Sequence, residues 1–137
     1  LAEGLKKNGT IQTIEKNDEL IEIQNKYFEK SSYRKNIFQL TGNALQILPK
    51  LNEKYDLIFL DADKKNYLTY LDLLIPKLKT KGILITDNVL WNGKVLNKAK
   101  DTDSQIIDNY NKKVNSDKRL NSVMLPIRDG ITFSIKV

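Results

Sequence analysis

Two short, almost wholly apolar runs constrain the fold of this chain most strongly. They are Asp56–Leu60 (DLIFL) and Gly82–Thr86 (GILIT), and such runs are typical of parallel strands covered on both faces. The segment Lys65–Lys79 between them has a helical pattern, which Pro76 is expected to end or bend. We therefore predict a strand–helix–strand unit whose crossover brings both strand ends to the same edge of a sheet.

The rest of the chain continues this alternation of strands and helices. Because apolar strands that alternate with helices favour an open parallel sheet, we predict an α/β fold, mostly parallel, with an antiparallel hairpin at the C-terminus. No repeat or linker interrupts the pattern, so residues 1–137 are predicted to form one domain. The remaining predicted elements are strands Thr10–Lys16 and Asn36–Leu40, helices Glu19–Lys30 (capped by Asp18), Ala44–Lys50 and Asp101–Asn115, and hairpin strands Ser122–Ile127 and Ile131–Val137.

Two absences from the composition exclude whole classes of site. The chain contains no cysteine and no histidine. Disulfides, thiolate nucleophiles, zinc sites of the Cys/His type and imidazole-based catalytic triads are therefore impossible. A general base must be Asp, Glu, Lys or Tyr, and a metal must be bound through oxygen, which favours Mg²⁺, Ca²⁺ or Mn²⁺.

The charge balance and the hydropathy pattern bear on partners and location. Lysine and arginine number 23 against 17 acidic residues, a formal net charge of +6, which would suit a polyanion such as RNA. The basic residues are spread along the whole chain, however, and lysine-rich composition also follows from nucleotide bias in a genome. No apolar run approaches the roughly 20 residues of a membrane span. We expect no membrane partner and a cytoplasmic location.

Each of the two apolar runs is followed by a carboxylate. Asp61 comes directly after the first run, and Asp87 and Asn88 come directly after the second. If the two strands are neighbours, these three oxygen-bearing side chains can converge on one point, a set that suits Mg²⁺. The alternative is that both aspartates only cap helices or form turns.

Glu15 also lies at the end of a predicted strand. An acidic residue in that position can accept hydrogen bonds from ribose hydroxyls in Rossmann-type sites, and the alternative is an ordinary surface acid. The glycine-rich loop of such sites lies about 20 residues earlier. That position falls before residue 1, and no G-x-G-x-x-G occurs in the chain.

Two longer stretches carry a family resemblance. Tyr55–Tyr67 (YDLIFLDADKKNY) and Gly82–Lys94 (GILITDNVLWNGK) resemble the metal-dependent O-methyltransferases of the caffeoyl-CoA and catechol type, which use S-adenosylmethionine (SAM). The resemblance covers essentially the whole chain. It continues through residues 13–17 (TIEKN), 42–45 (GNAL) and 126–131 (PIRDGI).

The resemblance implies a role for each matching residue. Asp61, Asp87 and Asn88 match the family's ligands for a divalent metal, and Asp61 also contributes to catalysis and to the cofactor site. Lys64 matches the general base of the catechol enzymes, where a nearby dication disfavours a second positive charge on the amine. The remaining matches are Glu15 on the SAM ribose, Asn43 and Ala44 beside the adenine, Asp63 on the cofactor side, and Trp91 and Asn92 on the acceptor side.

The same resemblance raises an expectation about the beginning of the chain. Family members begin with helices, a first strand and the glycine-rich SAM loop, whereas Leu1 corresponds to a point just beyond that loop. We therefore expect a fragment that matches the C-terminal two-thirds of the domain, with Gly9 ending a helix. Exposed strand edges would favour pairing with another chain, so a homodimer is expected.

Three functions remain open. The first is methylation of a hydroxyl on a small aromatic or phenolic acceptor, dependent on SAM and a divalent metal. The second is methylation of a hydroxylated uridine in transfer RNA, which the positive charge would suit. The third is a non-catalytic fragment that serves as a binding or oligomerisation module.

Overall fold

Parallel pairing of strands separated by a helix occurs twice in the structure. The computed structural model describes residues 1–137, which divide into two units, residues 1–51 and residues 52–137. The parallel pairs are β1 (Ile11–Glu15) with β2 (Ile37–Thr41) in the first unit and β3 (Tyr55–Leu60) with β4 (Leu78–Asp87) in the second. Both pairs confirm the predicted α/β class. That residues 1–137 form one domain stays a prediction.

The first unit has two helices beside its strands. Helix α1 (Asp18–Lys30) connects β1 to β2, and α2 (Ala44–Ile47) follows β2 before a 3₁₀ turn at Leu48–Lys50. The residue that caps α1 is Asn17 rather than the predicted Asp18, because the Asn17 side chain accepts from the Glu19 amide at 3.1 Å.

The predicted helix end at Gly9 is wrong. A single 3₁₀ turn, Ala2–Gly4, opens the chain, and the Gly9 amide closes a separate turn by donating to the Lys6 carbonyl at 2.8 Å. Gly9 does not have the positive φ that a terminating glycine needs.

The second unit contains a mixed four-stranded sheet in the order β3-β4-β6-β5. The hairpin of β5 (Leu120–Leu125) and β6 (Ile131–Lys136) pairs antiparallel to β4 through β6 and confirms the predicted antiparallel edge. Two helices, α3 (Tyr67–Leu74) and α4 (Thr102–Ser116), complete the unit. No helix of the structure combines the length and apolarity needed to cross a membrane.

The helix between β3 and β4 is shorter than the sequence predicts. Helix α3 is preceded by a 3₁₀ turn at Lys64–Asn66 and followed by another at Ile75–Lys77. Pro76, in the second turn, cannot continue the helix. Strand β4 begins at Leu78, before an irregularity in its pairing with β3. Gly82 is required there, because a β-carbon would lie 2.8 Å from the Lys79 carbonyl oxygen.

One face of the four-stranded sheet is covered by helices. Leu84 and Thr86 of β4 lie on this face, and the Thr86 hydroxyl is 2.5 Å from that of Tyr110 on α4. The fully buried side chains at this interface include Tyr67, Leu71, Leu84, Ile107 and Tyr110.

The opposite face of β3 is not covered. Leu60 is 4% exposed, whereas Leu57 and Phe59 are 39% and 47% exposed. Successive side chains of a strand point to opposite faces, so only every second residue of β3 lies on the covered face. The prediction that residues 56–60 are covered on both faces is therefore wrong.

Candidate active site

The register of the second unit places two carboxylates at neighbouring strand ends. Leu60 pairs with Thr86, so Asp61 and Asp87 are the next residues on adjacent parallel strands. Adjacent strands lie about 4.8 Å apart, and parallel strands end at the same edge. The strand order shows that β3 and β4 are neighbours, which the sequence leaves open, and the two aspartates share one rim of the sheet.

Each of these carboxylates has one oxygen in a local hydrogen bond. Asp61 Oδ1 accepts from Lys64 Nζ at 2.9 Å, and Asp87 Oδ1 accepts from the Asn88 amide at 2.7 Å. Asn88 has a φ of 59°, a left-handed conformation that asparagine tolerates better than most residues. The second oxygen of each carboxylate and the Asn88 side-chain oxygen remain as hard donors at this rim.

These donors fit a hard divalent cation by their chemistry. Mg²⁺ is bound in proteins through one or two carboxylates, with waters or substrate oxygens in its other positions. The structure contains no group of three or more His, Cys, Asp or Glu residues that could hold a metal. A cation here would therefore depend on two carboxylates and the amide of Asn88.

Lys64 lies inside this rim rather than in solvent. Its side chain is only 12% exposed, while that of Asp61, its ion-pair partner, is 47% exposed. The amine also donates to the Tyr67 hydroxyl at 2.5 Å and lies 4.7 Å from the centre of the Tyr67 ring. Lys64 is therefore not a solvent-exposed lysine that merely starts a helix.

Tyr67 connects the lysine to the end of the second strand. Its ring is fully buried, and its hydroxyl donates to the main-chain carbonyl of Asp87 at 3.2 Å. Burial raises the pKa of the Tyr67 phenol well above its usual range, and the negative charges of Asp61 and Asp87 raise it further. The phenol therefore stays protonated and able to donate.

The sequence analysis gives Tyr67 no role in the site. The signal that could have found it is its spacing of three residues from Lys64, which places the two side chains on one side of a helical turn.

Asp63, predicted on the cofactor side, is engaged within the protein. Its Oδ1 accepts from the Tyr70 hydroxyl at 2.7 Å, and its Oδ2 accepts from the Asn66 side chain. Burial, followed by the hydrogen bond to Asp63, raises the pKa of the Tyr70 phenol. In this structure Asp63 thus fixes the start of α3.

The first unit has a polar edge of its own. Glu15 pairs with Thr41 at the carboxyl ends of β1 and β2. Glu15 Oε1 accepts from the amides of Lys16 and Asn17, each at 2.9 Å, and Oε2 accepts from Gln24 at 3.2 Å. The Asn17 amide bond is the main reason that the pKa of Glu15 is lowered, so the carboxylate stays ionised.

Asn43 and Ala44 lie on the chain just after this edge. Asn43 caps α2, since its side-chain oxygen accepts from the Leu45 amide at 2.9 Å, and Ala44 is the first residue of that helix. Gly42, with a φ of 131°, donates its amide to the Glu15 carbonyl at 2.8 Å. The turn after β2 is thereby tied to the end of β1.

The loop after β4 carries the residues predicted on the acceptor side. Trp91 and Asn92 have positive φ values of 51° and 53°, and the Asn92 amide donates to Asp129 Oδ1 at 2.5 Å. Gly130 packs so closely that a β-carbon would lie 2.5 Å from Leu90 Cγ. The turn between β5 and β6 therefore holds this loop, with Trp91 partly exposed and Asn92 exposed.

The predicted site residues thus form two sets, each at the carboxyl ends of one parallel pair. In the second unit, hydrogen bonds link Asp61, Lys64 and the Asp87 main chain through Tyr67. In the first unit, Glu15 and the turn before Asn43 lie at one edge.

This chain is similar to known O-methyltransferases along its whole length. The model of the O-methyltransferase family matches residues 1–137. Caffeoyl-CoA O-methyltransferase 2 of Eucalyptus globulus is 36% identical over 95% of this chain and 58% of its own length. Caffeoyl-CoA O-methyltransferase 1 of Arabidopsis thaliana is 34% identical over 97% of this chain and 56% of its own length. The chain thus spans little more than half the length of these curated relatives.

Solved structures with the same fold include two methyltransferases that hold SAH. An O-methyltransferase from Bacillus cereus in complex with SAH matches 99% of this chain and 66% of its own, with a TM-score of 0.90 and 25% identity. The SAH-bound methyltransferase PaMTH1 of Podospora anserina matches 93% of this chain and 61% of its own, with a TM-score of 0.84 and 25% identity. These matches confirm the predicted Rossmann-like methyltransferase fold.

Proposed function

This chain belongs to the O-methyltransferase family, and on that premise we propose that it transfers the methyl group of SAM to a hydroxyl of a small aromatic or phenolic acceptor. The observation that carries the proposal is the rim of β3 and β4, where Asp61 and Asp87 follow paired residues and Lys64 is held beside them. Methyl transfer needs little beyond alignment of the acceptor oxygen with the methyl carbon, and the paired strand ends bring these side chains to one rim.

The proposed SAM ligands are the residues to which the family resemblance gives that role. Glu15 is the proposed ligand of the ribose hydroxyls, and its lowered pKa favours the ionised form, which accepts two hydrogen bonds at once. Asn43 and Ala44 are proposed to flank the adenine, and Asp61 and Asp63 to lie on the sulfonium side. The SAH held by the Bacillus cereus and Podospora anserina proteins supports this choice of cofactor.

The proposed metal ligands are Asp61, Asp87 and Asn88. A Mg²⁺, Ca²⁺ or Mn²⁺ ion bound there would acidify the hydroxyl of the acceptor and orient its oxygen. The Lys64 amine pairs with Asp61 at 2.9 Å and so offsets one of the two carboxylate charges at the rim.

Lys64 is proposed as the general base: in its neutral form, which a bound dication would favour, its amine takes the proton of the acceptor hydroxyl. Its side chain is 12% exposed, and its amine contacts Asp61 and Tyr67 within one turn of the strand end. A base must lie within hydrogen-bond reach of the proton that it removes, and the acceptor is therefore proposed to enter from the exposed side of Asp61. Trp91 and Asn92, in the loop held by Asp129, are the proposed walls of the acceptor pocket.

Asp87→Ala tests the proposed function in the purified chain, with SAM, Mg²⁺ and catechol as reactants. Loss of one of two carboxylates should lower metal-stimulated methyl transfer by at least about a hundredfold. Asp103→Ala is the matched control, because Asp103 is an exposed acid in the first turn of α4. Methyl transfer by Asp87→Ala at the rate of the Asp103→Ala control would contradict the metal role.

Transfer RNA is the second candidate acceptor, and the net charge of +6 favours it. Binding through phosphate contacts weakens steeply as salt increases. A loss of affinity for transfer RNA between low and moderate salt, with methylation of the RNA and not of catechol, would select this alternative. Methylation of catechol alone would reject it.

A further inference from the structure

We propose that Tyr67 is a positioning residue whose phenol fixes the Lys64 amine at the rim of β3 and β4. This inference rests on the proposed function, because Lys64 matters there as the general base. It concerns a residue that forms no part of the proposed metal, cofactor or acceptor sets, and it follows from three contacts of one buried side chain.

Lys64 needs a second anchor besides its ion pair. A lysine side chain has several rotatable bonds, and an ion pair with a half-exposed partner contributes little to holding it in place. Asp61 is such a partner, with 47% of its side chain exposed. The Tyr67 hydroxyl, which accepts from the amine at 2.5 Å, and the Tyr67 ring, 4.7 Å away, supply the buried part of the contact.

Tyr67 is itself fixed on two further sides. Its hydroxyl donates to the Asp87 carbonyl at 3.2 Å, and its ring meets that of Tyr110 edge to face, with centroids 5.2 Å apart. These contacts keep the phenol in place when the Lys64 amine moves. The position of the amine, which follows β3 in the chain, is therefore set by a group that is bonded to β4. The phenol thus ties the proposed base to the strand that carries Asp87.

The direction of the hydrogen bonds supports this role. The ammonium of Lys64 can only donate, so the Tyr67 oxygen accepts from it and the Tyr67 proton goes to the Asp87 carbonyl. A phenylalanine would keep the ring and its packing and would remove both bonds. The substitution Tyr67→Phe therefore separates positioning from core packing.

The first measurement follows the lysine directly in the 137-residue chain. Protein labelled with ¹⁵N at the lysine side-chain nitrogens gives ammonium signals when hydrogen exchange is slow, and Lys64→Arg assigns the signal of Lys64. In Tyr67→Phe we expect exchange at Lys64 to increase at least about tenfold, since the amine opens more often to solvent. Tyr110→Phe, which removes an equally buried hydroxyl bonded to Thr86, should leave exchange at Lys64 within about twofold of the unsubstituted protein.

The second measurement is methyl transfer from SAM to catechol. Tyr67→Phe should lower kcat by at least about tenfold, because a misplaced base acts on fewer bound acceptors, while KM for SAM stays within about twofold. A merely structural role would change both variants alike. If the unsubstituted chain transfers no methyl group, the proposed function fails for this chain, and the exchange measurement still decides the position of Lys64.

A further variant covers the case in which Tyr67→Phe does not fold. Lys64→Met keeps an apolar stem and removes the amine, so the ¹³C signal of a labelled Tyr67 ring should shift while that of Tyr110 stays in place. Unchanged exchange at Lys64 in folded Tyr67→Phe, or an unchanged Tyr67 signal in Lys64→Met, would overturn the proposal.

Discussion

The two polar edges of this chain are built in opposite ways. Glu15, at the edge of the first unit, receives its hydrogen bonds from residues one, two and nine positions away in the chain. At the edge of the second unit, Tyr67 reaches a carbonyl twenty positions away, and the site depends on the pairing of β3 with β4. Local contacts are enough to hold the Glu15 side chain, whereas the contact of Tyr67 with the Asp87 carbonyl exists only if the strand register is correct.

Loss of packing under β4 should therefore have the largest effect on the second edge. Leu84 of β4 is fully buried on the face of the sheet that the helices cover. Leu84→Ala should therefore lower the free energy of unfolding by about 2–5 kcal/mol. Phe38→Ala is the comparison in the first unit, because Phe38 is 50% exposed and should cost less than about 1 kcal/mol. Urea unfolding followed by circular dichroism measures both. A smaller loss for Leu84→Ala than for Phe38→Ala would contradict the burial pattern.

The second prediction concerns the carboxylate at the first edge. Glu15→Gln keeps the shape of the side chain and removes its charge, so hydrogen bonds to the ribose of SAM should weaken. A hydrogen bond to a charged group contributes about 1.5–3 kcal/mol, which corresponds to roughly a 10- to 150-fold higher Kd in calorimetry with SAM.

Asp18→Asn is the matched control for that experiment, since Asp18 is exposed in the first turn of α1 and belongs to no proposed site. An unchanged Kd for Glu15→Gln would remove Glu15 from the cofactor site. A chain that binds no SAM at all would instead favour the non-catalytic binding module.

The third prediction separates the two possible roles of Asn43. As the cap of α2, Asn43→Ala should cost about 1 kcal/mol of stability, while Asn43→Ser should cost only a few tenths. If the side chain also contacts the adenine, both variants weaken SAM binding. If capping is its only role, Asn43→Ser binds SAM like the unsubstituted protein.

The smallest expected effect is the acid dependence of the first edge. The lowered pKa of Glu15 means that its bonds contribute stability above its ordinary value of about 4.3, and this contribution is lost as the pH falls through the folded value. In Glu15→Gln the free energy of unfolding should therefore fall less steeply as the pH decreases below about 4.3. Thermal unfolding between about pH 6 and about pH 3 measures how steeply stability depends on pH. A slope equal to that of the unsubstituted protein would contradict the assignment.

The sequence alone could predict the feature on which the site depends. Alternation of apolar strands with helices requires the two strands to run parallel, and parallel strands place Asp61 and Asp87 at one edge. The pairing of Leu60 with Thr86 agrees with this expectation. The order of strands and helices follows from the hydrophobic pattern and from the connections along the chain, and both can be seen in the sequence.

The contacts within the rim could not be predicted in the same way. The bond from Tyr67 to Asp87 depends on the first turn of α3 and on the register of β4, and neither is encoded by residue type alone. The early start of β4 at Leu78 depends on an irregularity that Gly82 permits. The engagement of Asp63 by Tyr70 and Asn66 likewise appears only when side chains are placed.

Binding of Mn²⁺ tests the rim most directly, because the ion can be followed by its paramagnetic effect without any turnover. We predict one site whose ion broadens the NMR signals of Asp61, Asp87 and Asn88, and which is lost in Asp87→Ala but kept in Asp103→Ala. Broadening at Asp61 and Asn88 that persists in Asp87→Ala, or that spares all three residues in the unsubstituted protein, would contradict a cation site at the ends of β3 and β4.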